Sequence, residues 1–313
     1  MDTQSKVLSV PQDIASQIEV LSDIAKISGS RVRVEEILAL TSLDFTEREL
    51  ELAWSATPNL NARFQLRSGI VLELSEAEVD DLAAGDVQRR LRAKGHLRHA
   101  SDFAAFARLY PALLVAVSGS TSYMSVGECD DIDLFCVTKR DTLWLFLTRA
   151  LLMARVFKLL RRSHRKICLS YVADQTYAEH QFSGAKDALF ARDALNAFVI
   201  RGISYYRSLL LRAPWMSSYF PGLYHSKAQE VRPGGVVLRG RKIIRRIANL
   251  FLFALVGNYI RTKSFVFNRR LERQGKRQAV FTADLSEDHC LFESNRYAEL
   301  RAAYAQILAR PKR

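Results

Sequence analysis

Five apolar residues in succession, Leu113-Leu114-Val115-Ala116-Val117, stop at Ser118-Gly119-Ser120, and a second apolar run, Leu134-Phe135-Cys136-Val137, follows Asp131-Ile132-Asp133. Runs this short, bounded by turn residues, predict buried strands. The period then lengthens. Leu143 to Leu160 is apolar with Arg149, Arg155 and Lys158 interspersed, which predicts a helix covering the sheet, and Ile167 to Val172 predicts a third strand. Asp141 or Thr142 can cap that helix. Strand, strand, long helix and strand make an α+β arrangement around a small mixed sheet.

On the N-terminal side, helical patterns at Pro11–Ser28, Val34–Leu40 and Thr46–Ala56 precede a hairpin, Phe64–Arg67 and Ile70–Leu74, around Ser68-Gly69. This order resembles a winged helix. The helix that would enter a major groove carries Glu47, Glu49 and Glu51, however, and DNA phosphates would repel it. DNA binding by this acidic region is therefore disfavoured, and a scaffold for packing or protein contact is expected. Helices at Glu76–Lys94 and Asp102–Leu109 lead into the first strand. Beyond Asp174 the pattern is mainly helical, with Ala185–Leu211, a linker marked by Pro214, Pro221 and Pro233-Gly234-Gly235, and Arg239–Gln274. Three regions result: a winged-helix-like region with linking helices (1–100), a core (101–176) and a basic, mainly helical region (177–313).

The candidate chemistry sits where the first two strands meet their turns. A period of two puts Asp131 and Asp133 on one strand face, with Cα atoms roughly 6.6 Å apart. Small residues at Ser118-Gly119-Ser120 let backbone N–H groups approach an anion. Paired hard carboxylates beside a phosphate-binding turn suit two Mg²⁺ ions and attack on a nucleotide phosphate. An exposed loop would account for Asp130 and Asp131, but Asp133 runs directly into an apolar strand and requires a partner or a metal.

At these residues the chain resembles the nucleotidyltransferase superfamily that includes DNA polymerase beta, whose signature is an apolar strand, Gly-Ser, a spacer and Asp-x-Asp on the next strand. A closer likeness is to an uncharacterised bacterial group in which Asp-Asp-Ile-Asp-Leu precedes a Leu-Trp-Leu helix and an Ile-Cys-Leu strand, here Asp130 to Leu134, Leu143 to Leu145 and Ile167 to Leu169. The resemblance implies a nucleotidyltransferase core over about residues 112–175, with Gly119 and Ser120 on the triphosphate and Asp131 and Asp133 as catalytic metal ligands. Active members usually add a third carboxylate from the next strand, which here has Ser170 at its centre. Alternation would put Cys168, Ser170, Val172 and Asp174 on one face, so Asp174 is either the missing catalytic base or a turn residue closing the strand.

Composition narrows the setting. The chain has 313 residues, of which 49% are hydrophobic, enough for a substantial core. Its four cysteines, Cys129, Cys136, Cys168 and Cys290, are scattered, and its six histidines show no zinc-type spacing, which fits a reducing, cytoplasmic setting. The N-terminus lacks the basic and apolar regions of a secretion signal. The fourteen-residue run Ile247–Ile260 is too short to span a bilayer, so no transmembrane segment is expected. It reads as a buried helix, or, with Arg245, Arg246 and Arg261 at its flanks, as an interfacial membrane contact. Net charge is −4 over 1–100, +5 over 101–224 and +12 over 225–313, so the basic end is either a solvated face or a surface for a polyanion. The expected function is Mg²⁺-dependent transfer of a nucleoside monophosphate from an NTP to an acceptor (small molecule, protein or RNA), releasing pyrophosphate. The alternatives are a catalytically weak or inactive nucleotide sensor and, from the total of +13, a DNA-binding regulator.

Overall fold

The computed structural model describes residues 10, 12–27, 31–41, 45–67, 69–73, 79–128, 130–161, 165–228 and 242–308. Ser68, Glu76, Cys129, His164, the Pro233-Gly234-Gly235 linker and Arg239 lie outside them. The expected N-terminal elements form: helices Gln12–Ile27, Val34–Thr41 and Glu47–Ser55, then β1 (Phe64–Arg67) paired antiparallel with β2 (Ile70–Glu73). Thr46 and Glu49 close a reciprocal cap on the third helix, the Thr–x–x–Glu pattern that starts helices efficiently. The two helices expected between 76 and 109 are one continuous helix, Val79–Ala107.

A six-stranded mixed sheet organises the rest. Its strands are β3 (Ala112–Val117), β4 (Ile132–Thr138), β5 (Ile167–Asp174), β6 (Phe198–Arg201), β7 (Phe281–Leu285) and β8 (His289–Ser294), in the order β6-β3-β4-β5-β8-β7. Only β4 and β5 pair in parallel among these neighbours, with the helix Leu143–Arg161 as their crossover. Three of the strands come from beyond residue 176, so the sheet runs past the expected core boundary and the C-terminal region is not purely helical.

Alternation divides the core into two layers. Leu114, Ala116, Phe135, Val137 and Ala173 pack with the helices Gln175–Ser183 and Ile203–Leu211, in a cluster that extends to the N-terminal helices, while Val115, Val117, Leu134, Cys136 and Val172 pack with the helix Leu143–Arg161. One local break matters. Asp133 pairs with Cys168 but Phe135 pairs with Tyr171, so β5 holds one more residue than β4 over that interval. This bulge reverses the facing of β5. Cys168, Ser170, Val172 and Asp174 therefore do not share a face; Val172 lies in the layer beneath the crossover helix with Leu169.

The last long helix departs most from expectation. Lys242–Leu252, a π-helical turn Phe253–Gly257 and Asn258–Arg273 run as one rod, of which Ile243–Arg273 (31 residues) is long and apolar enough, by length and composition, to cross a membrane. It is not the buried helix that its periodicity suggested. Ile247 is 61%, Phe251 67% and Leu255 60% exposed, while Asn249 is buried. Asn249 accepts from the Trp144 N–H at 2.8 Å and donates to the Glu287 carbonyl at 3.2 Å, so its amide caps the crossover helix from 105 residues away.

Candidate functional site

Asp133 and the bend at Gly119 are built against each other. β3 ends as Ser118 donates its N–H to the Asp133 carbonyl at 3.0 Å, and the chain then turns into the short helix Gly119–Ser122. Gly119 adopts φ +65°, and a Cβ there would stand 3.0 Å from Asp133 Oδ2. Only glycine suits both the dihedral and the space. His96 steadies the turn through Nδ1, 3.3 Å from the buried Thr121 hydroxyl, and Ser122 donates its hydroxyl to the Gly119 carbonyl at 2.9 Å.

Asp131, Asp133, Ser118 and Gly119 line a cavity of about 1250 Å³ at the end of the sheet where β4 and β5 begin. Ser120 is the second residue of the turn and is not among the described residues that line it. Opposite walls come from the helix Ala188–Asn196 (Asp193), the last helix (Tyr297 and Arg301) and the long rod (Lys263 and Phe267).

Lysines and arginines line the cavity as well as acids, but the charged groups that act on Asp133 itself are acids. Burial, then the adjacent Asp131, pushes the Asp133 carboxyl up to about 7, tempered by the Ser170 hydroxyl and reinforced by Asp130 and Asp193. Burial also raises Asp131, against which Lys166 Nζ stands at 3.8 Å. Asp130 is committed elsewhere, accepting from the Gly127 N–H at 2.9 Å.

No family model, curated protein or solved structure matches this chain. What the site can do therefore follows from its own geometry.

Two half-buried carboxylates, both raised by burial and Asp133 further by Asp131, form an oxygen donor set whose charge a hard divalent cation would offset. They fit Mg²⁺, which takes one or two protein carboxylates and completes its shell with water and phosphate oxygens. Among the described residues no group of three or more His, Cys, Asp or Glu side chains is disposed to hold a metal alone, so a metal here would depend on exogenous oxygens.

Asp174 does not join them. β5 does extend to Asp174, but Asp174 pairs with Thr138 while Asp133 pairs with Cys168, which separates the two acids by five positions on β4, or roughly 16 Å. Its carboxylate accepts from the Tyr177 N–H at 3.0 Å as the N-cap of the helix Gln175–Ser183. In this position it ends β5 and caps the helix that follows.

Asp193 is the acid that sequence reasoning missed. Tyr123 donates to it, Tyr297 donates to its other oxygen at 3.1 Å, and burial raises its carboxyl. Neighbouring Arg192 stacks on Tyr123 at 4.2 Å and donates to Tyr304. This network joins the turn after Gly119, the helix Ala188–Asn196 and the final helix Asn295–Leu308. No local motif announces Asp193; the nearest signal was the pairing of Arg192 with Asp193 inside an otherwise apolar helix.

Proposed function

We propose that the chain is a Mg²⁺-dependent nucleotidyltransferase that moves a nucleoside monophosphate from an NTP to an acceptor hydroxyl, with the sheet as a nucleotidyltransferase core and the N-terminal region as a winged-helix-like module. The observation that supports this is the close approach of the Gly119 bend to Asp133, which sets a glycine turn directly against a half-buried carboxylate crowded by other acids, both lining one cavity. Asp131 and Asp133 would hold the metal, which would supply positive charge against the phosphates. Gly119, lacking a side chain, lets the bend approach Asp133, and the cavity that both line receives the triphosphate. Lys166 and Lys263 add positive charge to the wall for the departing pyrophosphate.

A second reading, a nucleotide sensor with little or no turnover, is favoured by Ser170 on β5 and by the helix-capping role of Asp174. Incubation with NTPs labelled at the α-phosphate, Mg²⁺ and cell lysate separates the two. Label transfer that disappears in Asp133→Ala supports the transferase. NTP binding that needs Asp133 but gives no transfer supports the sensor, and absence of both defeats the nucleotide assignment.

A further inference from the structure

The rod Ile243–Arg273 is apolar on two sides: Leu252, Phe253, Val256 and Ile260 pack inward with the layer beneath the crossover helix, and a second set of apolar residues faces out. Its inward side presents Asn249, bonded to Trp144 and Glu287, and Asn268, bonded to both the N–H and the carbonyl of Phe281. Its outward side presents Ile243, Ile247, Leu250, Phe251 and Leu255, at 75, 61, 39, 67 and 60% exposure. These positions recur at three- and four-residue spacings and form one continuous stripe. Further along, Phe265 and Val266 are exposed at 57 and 62%. A stripe of this size, pointed into water, marks an interaction surface.

Charge selects the partner. Between 243 and 273 there are seven Lys or Arg residues against one Glu, and Arg269 stacks over Phe265 at 4.6 Å while Arg261 stacks over Phe253 at 5.5 Å. Apolar side chains flanked by arginines that ride on aromatic rings are the composition of a helix lying in a bilayer interface, hydrocarbon below and guanidinium groups at the headgroups. A nucleic acid would satisfy the arginines yet leave Ile247 and Phe251 in water. A second copy would bring two strongly basic surfaces together, since residues 225–313 alone carry +12.

The geometry points to an anionic lipid surface as the partner, with the rod lying along the membrane and not across it. The inward bonds at Asn249 and Asn268, and the buried Ile260 between them, fasten the rod to the sheet along its length, so the helix cannot cross a bilayer without dragging the domain into lipid. Lys263 and Phe267 of the same rod line the cavity that contains Asp133, so the element that carries the docking face also forms one wall of the carboxylates' cavity.

The test is flotation of the full chain with vesicles of phosphatidylcholine alone or with phosphatidylglycerol in equal parts. Binding to the anionic vesicles should be at least about tenfold tighter than to the neutral ones and should weaken with salt. Ile247→Glu with Phe251→Glu should abolish flotation while leaving the circular dichroism spectrum unchanged, because both side chains face outward. Arg269→Glu with Arg270→Glu should reduce the preference for anionic vesicles by about tenfold or more. Absence of flotation, or flotation indifferent to the Ile247→Glu and Phe251→Glu pair, overturns the proposal. So does a concentration-dependent dimer that this pair dissolves without any vesicle binding, which assigns the face to a second copy. Retention in native membranes after alkaline carbonate assigns a crossing helix and equally overturns it.

Discussion

The head of β4 and the outer face of the rod Ile243–Arg273 violate the ordinary partition of side chains in opposite directions. At Asp133 a half-buried acid at the head of a strand is crowded by other acids; at Phe251 a hydrocarbon ring stands in water. The first exception is written in its immediate neighbours, because an aspartate that runs into Leu134-Phe135-Cys136-Val137 has nowhere to go but inside. The second is invisible locally. A stripe of apolar residues at helical spacing looks the same whether it faces a core or a solvent, and what decides here is Asn249 reaching Trp144 across 105 residues. An anomaly of burial is legible when adjacent positions create it, and illegible when distant ones do.

The sharpest separation of the two regions is functional. Asp133→Asn should reduce nucleotide transfer by about a thousandfold or more, since a metal's stabilisation of phosphate charge amounts to several kcal/mol. Phe251→Ser should leave transfer to a soluble acceptor unchanged. Labelled-NTP assays on both variants measure this, and an equal loss in both would erase the distinction drawn here.

The enclosed acid should also announce itself in stability. A carboxyl near 4 in the unfolded chain is held at about 7 in the fold, so between those values the folded protein keeps a proton that the unfolded chain has released. Stability of the metal-free protein should therefore be greatest below about pH 4 as far as this group is concerned, and fall as pH rises through 7 by on the order of a few kcal/mol. Asp131 and Asp193 shift in the same direction, so Asp133→Asn should flatten the slope without removing it. Urea midpoints at pH 5 and pH 8 in chelator, with and without the substitution, measure the difference.

On the rod, the inward and outward sides should respond unequally. Asn249→Ala leaves the Trp144 N–H and the Glu287 carbonyl without their partner and should cost about 2 to 3 kcal/mol. Ile247→Ser, two residues away on the exposed side, should fall within about 0.5 kcal/mol of the parent in solution. Equal costs in urea denaturation would mean that the outer face is covered.

Much of the central architecture was readable from period and punctuation. The expected strands Leu113–Val117 and Asp131–Val137 and the expected helix Leu143–Leu160 form with ends shifted by no more than one residue, and the hairpin forms around Gly69. β7 and β8 were not readable. Phe281–Leu285 alternates weakly and has its partner across Ser286 to Asp288, while β8 finds β5 more than a hundred residues earlier. The bulge in β5 was equally hidden, because Ser170 is an unremarkable strand residue whose extra position shows only when β4 is laid beside it. Asp193 belongs to the same class: Tyr123 and Tyr297, which hold it, lie 70 and 104 residues away.

The smallest predicted effect bears on the residue for which two roles were open. As a helix N-cap, Asp174 contributes one charge-assisted bond to the Tyr177 N–H, and Asp174→Ala should cost about 1 kcal/mol of stability. Asparagine caps nearly as well, so Asp174→Asn should recover most of that loss. A catalytic base would behave differently, because Asn can accept a hydrogen bond yet cannot take a proton, and transfer would fall in both variants by about a hundredfold or more. The separation of roughly 16 Å from Asp133 favours the cap. Denaturation midpoints that move in Asp174→Ala and return in Asp174→Asn, with transfer unchanged in both, would limit the acids of β4 and β5 that act on nucleotide to Asp131 and Asp133.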